Sequence, residues 1–322
     1  MSSEVNPSAP LLAILGPTGT GKSEIAVALA ERINGEVVNC DAFQLYAGLA
    51  IATAQPGRAL TGRVRHHGYG VLDPRVRLSA GGYGALARDW IADIQARGKI
   101  PVLCGGSGFY YEALVRPLPA TPAREAAVAA RLDRLADKHA RPDYLLRLLR
   151  RLDPQAAARL SERDIARVKR ALEYRVQTGA QFSALNMDRE NRPAVYAVRA
   201  FIVELPREPL ALRLAARAAE FFRHGIVAEL SALRAGGLPD DAPGLRAIGC
   251  AEALAVLDGR LNETAACAAI TLRSLQYAKR QRTWFRRTPD ARWLVSGVDF
   301  TGTDSAASAQ AILSRWQMNS QD

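Results

Sequence analysis

The sequence predicts an α/β fold: a parallel sheet core with a mostly α-helical inserted domain and C-terminal helices. Three observations predict it. Residues 11–33, "LLAILGPTGTGKSEIAVALAERI", join an apolar run of strand length to a glycine loop and then to an Ala/Leu/Ile/Glu-rich helix. Strand-like and helix-like segments then alternate to about residue 115, the pattern that builds parallel sheets. Residues 122–179 carry helical periodicity throughout, and a strand returns at "AVYAVRAFIVEL", 194–205. The expected division is a disordered tail at 1–10, a core made of 11–120 and 194–322, and a helical insertion at 121–193.

The first strand is Leu11 to Leu15. After it, Gly16-Pro17-Thr18-Gly19-Thr20-Gly21-Lys22-Ser23 fits G-x-x-x-x-G-K-[ST]. Strand, glycine loop and helix together form the context in which that motif is a phosphate-binding loop, so the core is of the P-loop NTPase-like kind. Glycines let backbone N–H groups turn toward a phosphate, and the helix N-terminus adds partial positive charge. Lys22 supplies a mobile cation, and the Ser23 hydroxyl is a ligand for Mg²⁺. A plain glycine turn joining strand to helix would need neither lysine nor hydroxyl. The motif by itself leaves ATP and other diphosphates open.

"GEVVNCDAFQLY" (35–46) reads as a short strand ending near Asp41. Residues 77–98 are mostly helix, and "KIPVLCGGSGFYYEALV" (99–115) is strand, glycine turn, helix. Ligands of parallel sheets sit at the C-terminal strand ends. Gly16–Ser23, Asp41 and Gly105–Ser107 all fall there, so three segments converge on one site. The character changes at the proline-rich "RPLPATPAR" (116–124), after which Asp153-Pro154 and Ser161 are helix start signals. The returning strand feeds a helix from Pro206 to Arg223, and further helices are expected at about 225–235, 248–258 and 263–286.

The composition, 48% hydrophobic and 23% charged, is that of a soluble globular protein. No apolar run approaches the ~20 residues that span a bilayer, so no membrane partner is expected. The opening "MSSEVNPSAP" lacks a basic segment followed by an apolar core and does not read as a signal peptide. Cys40, Cys104, Cys250 and Cys267 form no C-x-x-C pair, and read as reduced thiols of a cytoplasmic protein. The net charge of +11 favours a polyanionic partner. Residues 141–175 hold ten basic and five acidic residues, and 273–287, "RSLQYAKRQRTWFRR", hold six basic and no acidic ones. Arg273, Arg280 and Arg287 recur there every seven residues, which stacks them on one helix face, with Tyr277, Trp284 and Phe285 interleaved. Basic charge with aromatics suits a nucleic-acid backbone with unstacked bases. The competing reading is a solvated helix whose aromatics are core.

Asp41 follows a strand and lies 18 residues after Ser23. It reads as a metal-associated carboxylate, as a general base aimed at a nucleophile, or as a strand-end turn residue. Here the residues resemble a family, the tRNA dimethylallyltransferases (tRNA isopentenyltransferases, bacterial IPP transferases). The resemblance rests on GPTGTGKS (16–23), DAFQLYAGLAIATAQP (41–56), HHGYGVLDP (66–74), GGSGFYYEAL (105–114), RDIARVKRALEY (163–174), RAIGCAE (246–252) and YAKRQRTWFRR (277–287). The order holds over about residues 11–290, and the YAKRQ and GGS stretches are not general NTPase features. There are departures from the family pattern. Ala42 stands for Ser, Ala52 for Gly, Gln55 for Lys, Ser107 for Thr, Cys250 for Tyr and Leu275 for Arg.

The resemblance implies transfer of a dimethylallyl group from dimethylallyl diphosphate to N6 of adenine 37 in a tRNA anticodon loop, by a monomer. It implies that Gly16, Pro17, Thr18, Gly19, Thr20, Gly21, Lys22 and Ser23, with Arg213 and Arg217, hold the diphosphate, and that Ser23 holds Mg²⁺. The spacing of four puts Arg213 and Arg217 on one helix face, where they are either ligand groups or surface charge. Asp41 and Ser107 are implied as catalytic. Asp41, Ala42, Phe43, Gln44, Arg167, Lys169, Arg170, Arg246, Lys279, Arg280 and Arg287 are implied to meet the anticodon stem-loop, with the stretch Arg246 to Cys250 on the loop. His66 and His67 read as paired structural histidines. Rival readings are a small-molecule kinase, an enzyme prenylating free adenylate, and a non-catalytic RNA-binding paralogue. A basic aromatic helix is superfluous for a small acceptor, and an intact phosphate loop argues against the last.

Overall fold

The computed structural model describes residues 11–139, 143–185, 192–288, 291–295 and 305–318; the segment 1–10 lies outside them. The described chain divides into two compact units, one running to Val115 and resuming at Ala194, the other Arg116–Pro193. The second unit begins a few residues before the expected 121 because the proline-rich stretch belongs to it. Arg116 donates to the Arg192 carbonyl at 2.7 Å, and Arg124 Nε donates to the buried Glu173 carboxylate at 2.7 Å.

The first unit is built on a six-stranded sheet of order β3-β2-β4-β1-β5-β6, every neighbouring pair parallel. The strands are β1 (Leu11–Leu15), β2 (Gly35–Asn39), β3 (His66–His67), β4 (Ile100–Gly105), β5 (Val198–Glu204) and β6 (Arg292–Val295). β1 is apolar at every position because helices cover both of its faces. α1 (Lys22–Arg32) buries six consecutive residues, Ile25 to Ala30, between the sheet and α13 (Ser305–Met318). α2 (Arg58–Thr61) is a single turn, α3 (Ala80–Ala96) starts from a Ser79 cap, and α4 (Gly108–Val115) follows β4.

The second unit packs α5 (Ala126–His139), α6 (Tyr144–Leu152), α7 (Pro154–Ala158) and α8 (Ile165–Thr178) around Leu132, Leu145, Leu146, Leu149, Val168 and Leu172. Asp153 caps α7 through the Ala156 N–H, with Pro154 in the first turn. Ser161 is not a cap. α8 begins four residues later behind Asp164, and Ser161 sits in the turn before it.

The remaining helices belong to the first unit: α9 (Arg207–Arg223), α10 (Ile226–Ala235), α11 (Cys250–Leu257) and α12 (Glu263–Phe285). Leu205, Leu210 and Leu214 pack on Ala278 and Leu275, joining α9 to α12. β3, β6 and α13 are elements beyond those expected from the sequence. No helix among the described residues is long and apolar enough to cross a membrane.

Candidate active site

The phosphate loop turns where side chains are sterically excluded. Gly16 has φ +140°, and a Cβ there would lie 2.2 Å from the Val203 carbonyl oxygen. Gly19 and Gly21 also take positive φ. Thr20 Oγ1 donates to the Pro17 carbonyl at 3.0 Å, and Lys22 Nζ donates to the same carbonyl at 2.5 Å. Ser23, the second residue of α1, sets its hydroxyl against the Cys104 thiol. Partial withdrawal from water pulls the Lys22 ammonium below the ordinary lysine range; the charge of Asp41 opposes that pull more weakly. A lysine in that state gains most when an anion arrives.

The loop forms one wall of a cavity of about 870 Å³ that also takes in Asp41, Gln44, Gly105, Arg213 and Arg217. Arg217 donates to the Thr18 hydroxyl at 3.0 Å and stacks on Phe221, its carbon 5.4 Å from the ring centre. Burial lowers its pKa, as it does that of Lys22. Arg213 reaches the Gly21 position, its Nη1 3.4 Å from where a Cβ would stand. Two guanidinium groups and one ammonium thus gather at one loop of backbone N–H groups, with the Glu24, Asp41 and Glu220 carboxylates on the same cavity. Beyond the cations the lining turns less polar, through Ala50, Ile51, Ala54 and Phe221. Ala54 is held in the left-handed region at φ +49°. Glu229 secures that loop by accepting from the Ile51 and Ala52 N–H groups at 2.8 and 2.9 Å.

Asp41 sits past the end of β2, oriented by a residue the sequence did not single out. Asn39, fully buried, accepts the Asp41 N–H on Oδ1 at 2.8 Å and donates to the Gly68 carbonyl at 2.7 Å. Asp41 Oδ1 accepts from the Phe43 N–H at 3.0 Å. Ser107 is brought alongside by the β2–β4 pairing. Its N–H donates to the Cys40 carbonyl at 3.0 Å, and its Oγ accepts from the Ala42 N–H at 2.9 Å. A Tyr277 hydroxyl from α12 completes the contacts of Ser107. A side-chain oxygen at position 42 is therefore not required to hold this turn. Gln44 gives its N–H groups to the Thr53 and Ala54 carbonyls and braces the cavity wall. Gln55, in place of the family lysine, donates to the Tyr46 carbonyl at 2.8 Å and brings no charge.

Other expected residues are sorted by their partners. Arg246 is exposed in a short 3₁₀ turn, but Cys250 is wholly buried, its thiol pushed up to about 12 by that burial, and it does not face solvent. In the helical unit Arg167 is exposed, whereas Lys169 pairs with Asp133 and Arg170 donates to Thr121 and Pro122. On α12, Lys279 and Arg280 are exposed, and Arg280 lies 5.6 Å from the Tyr277 ring centre. The seven-residue stack of arginines does not hold. Arg273 is spent on the buried Glu252 at 2.5 Å, and α12 ends at Phe285, so Arg287 lies in the turn beyond it. Phe285 is core, whereas Tyr277 and Trp284 meet the site loops. His67 bonds Glu36 at 2.6 Å in a cluster with Arg97 and Lys99, a structural role. His66 takes the Val64 carbonyl at 2.9 Å.

No three His, Cys, Asp or Glu among the described residues gather to hold a metal. Mg²⁺ needs no such cage, since it keeps waters and takes one or two protein ligands beside phosphate oxygens. The Ser23 hydroxyl, on the lining of this cavity beside the loop, fits that requirement.

The chain matches the family model described as IPP transferase over residues 44–288, and that described as isopentenyl transferase over 9–69. It is 39% identical over 289 residues to a tRNA dimethylallyltransferase of Anaeromyxobacter sp. (strain Fw109-5), covering 90% of this chain and 95% of the relative. It is 39% identical over 309 residues to a tRNA dimethylallyltransferase of Koribacter versatilis (strain Ellin345), covering 94% and 96%. The full-length tRNA isopentenylpyrophosphate transferase of Bacillus halodurans superposes with a TM-score of 0.69 at 29% identity, over 98% of this chain and 99% of the other. A eukaryotic dimethylallyltransferase acting on tRNA superposes with a TM-score of 0.80 at 25% identity, over 97% and 80%.

Proposed function

The chain belongs to the IPP transferase family, and on that premise we propose that it transfers a dimethylallyl group from dimethylallyl diphosphate to N6 of adenine 37 in the tRNA anticodon loop. It is a prenyltransferase that modifies tRNA. The observation that carries the finer reading is the single cavity lined by the phosphate loop, Arg213, Arg217 and Asp41 together.

The roles follow from charge. Breaking the allylic C–O bond leaves negative charge on the departing diphosphate, which Lys22, Arg213, Arg217 and the loop N–H groups of Gly19 to Ser23 stabilise. Mg²⁺ held at Ser23 would supply further neutralisation of that charge. The N6 amine is a weak nucleophile because its lone pair is delocalised into the ring. Asp41 accepts its proton as the new N–C bond forms. Ser107 orients the acceptor through its hydroxyl. The adenine leaves its stack to reach a recessed site. Arg246, Lys279, Arg280 and Arg287 on the first unit, and Arg167, Lys169 and Arg170 on the helical unit, are the groups assigned to RNA phosphates. Lys169 and Arg170 would exchange their present partners to do so. The chain acts as a monomer, and in the cytoplasm; the second reading is supported by its four free cysteines.

The test is labelled dimethylallyl diphosphate with unmodified tRNA or with AMP, and mass spectrometry of the product nucleoside. Label in tRNA as N6-dimethylallyladenosine at position 37 is expected. Label in AMP alone, or none in either, overturns the proposal.

A further inference from the structure

α12 meets both loops of the site along one stripe. Tyr277, Gln281 and Trp284 are spaced by four and three and so share a face. Tyr277 reaches the Ser107 hydroxyl. Trp284 covers Gly108, where a Cβ would come within 2.1 Å of the indole. Between them stands Gln281, 4% exposed. Its Oε1 accepts the Thr18 N–H at 2.9 Å, and its Nε2 donates to the Gly106 carbonyl at 2.9 Å. One amide thus ties the phosphate loop to the turn that carries Ser107. The Gly106 position is shaped for it, since a Cβ there would stand 2.1 Å from Nε2. The tie extends further, because the Thr18 hydroxyl accepts from Arg217 at 3.0 Å.

We propose that Gln281 is a positioning residue for the transfer: it sets the separation between the donor's diphosphate loop and the Ser107 turn, and so the approach of the allylic carbon to the acceptor nitrogen. This rests on the transfer reading above. Thr18 offers a donor and Gly106 an acceptor, so the bridge needs one of each at glutamine's reach. A carboxylate lacks the donor, a lysine lacks the acceptor, and asparagine is one methylene short. Docking of α12 does not depend on the bridge. Ala278 and Leu275 pack on Leu205, Leu210 and Leu214, and Phe285 is fully buried. Removing the amide therefore frees two loops while the helix stays in place. A misplacement of about 1 Å between reacting groups costs on the order of 100-fold in rate.

The experiment compares wild type, Gln281→Met and Gln281→Glu as full chains. It measures thermal unfolding, calorimetric affinity for dimethylallyl diphosphate, filter binding of unmodified tRNA, and single-turnover transfer with both substrates saturating. For Gln281→Met, the expected result is both affinities within about threefold of wild type, with transfer slower by roughly 30- to 100-fold. Gln281→Glu keeps the acceptor for Thr18 and regains a donor for Gly106 when protonated, so its rate relative to wild type should rise as pH falls. A Gln281→Met rate within twofold of wild type overturns the proposal. So does a loss confined to the affinities or to the unfolding temperature. Should methionine prevent folding, the glutamate variant decides, and a ratio to wild type that is flat with pH overturns the proposal. A wild-type chain inactive on tRNA overturns the transfer reading itself; an active wild type with an equally active variant overturns this proposal alone.

Discussion

Replacing Asp41 by asparagine perturbs the chemistry with little change of shape. Asp41 Oδ1 accepts from the Phe43 N–H at 3.0 Å, and its backbone N–H donates to Asn39 at 2.8 Å. Asparagine retains an Oδ1 for the first bond and an N–H for the second, so the turn should persist. What is lost is the capacity to take the N6 proton. General-base removal typically costs roughly 10²- to 10⁴-fold, or about 3–5 kcal/mol in the barrier. If the substitution instead broke the turn, the loss would appear as about 1 kcal/mol of stability for the missing hydrogen bond. The assay is single-turnover transfer to unmodified tRNA beside calorimetric donor affinity with Mg²⁺. Donor affinity should change by no more than a few fold, because residues 16–23 with Arg213 and Arg217 carry it. Transfer at the wild-type rate would refute the base assignment. Loss of donor binding along with transfer would move Asp41 to the metal. Ala42→Ser is the companion variant. It should change the rate by less than about threefold, since the Ala42 N–H already anchors this turn on Ser107 at 2.9 Å.

Lys22→Ala should slow transfer by ~3 kcal/mol of barrier while filter binding of tRNA is retained. Because withdrawal from water lowers the Lys22 pKa, donor affinity should fall with rising pH before the ordinary lysine range is reached. Lys22→Arg should flatten that fall in calorimetry. Lys279→Ala with Arg280→Ala should weaken tRNA binding across sequences and flatten its salt dependence by roughly one unit of log–log slope per lost contact. An unchanged slope in filter binding would leave that face merely solvated. Glu36 is held at about 2 first by Arg97, with His67 and Lys99 adding to it against the cost of burial. A depressed carboxylate stabilises the fold above its unfolded value and loses that contribution as pH falls. The shift from 4.5 to about 2 corresponds to roughly 3 kcal/mol. Glu36→Gln should therefore be less stable to urea at pH 7 by roughly that amount, and the gap should narrow below pH 4.5.

The sheet was legible where burial leaves no freedom. β1 is five apolar residues in a row, and the glycine loop after it is dictated by sterics such as the 2.2 Å approach at Gly16. Asp41 and Gly105–Ser107 were placed by the rule that parallel strands deliver ligands at their C-terminal ends. β3 escaped because two residues carry no period. Asn39 and Gln281 escaped for a different reason. Each is a polar residue whose role is defined by a partner remote in sequence, and Gln281 and Thr18 are 263 positions apart.

The basic-aromatic segment shows why spacing alone misreads such a helix. A seven-residue interval was enough to align Arg273, Arg280 and Arg287, but not to register that the helix stops at Phe285 or that Glu252 takes Arg273. Core residues and exposed cations alternate along α12, so neither competing reading describes the whole helix. Tyr277, Gln281 and Trp284 turn toward the site loops, Phe285 and Ala278 toward the core, and Lys279 and Arg280 toward solvent. With 3.6 residues per turn, three faces interleave within nine positions, and in the sequence they merge into one mixed signal. The physical consequence is that the exposed cations and the Gln281 bridge share a single rigid rod. A phosphate that orders Lys279 and Arg280 therefore acts on a helix whose inner face already holds Thr18 and Gly106.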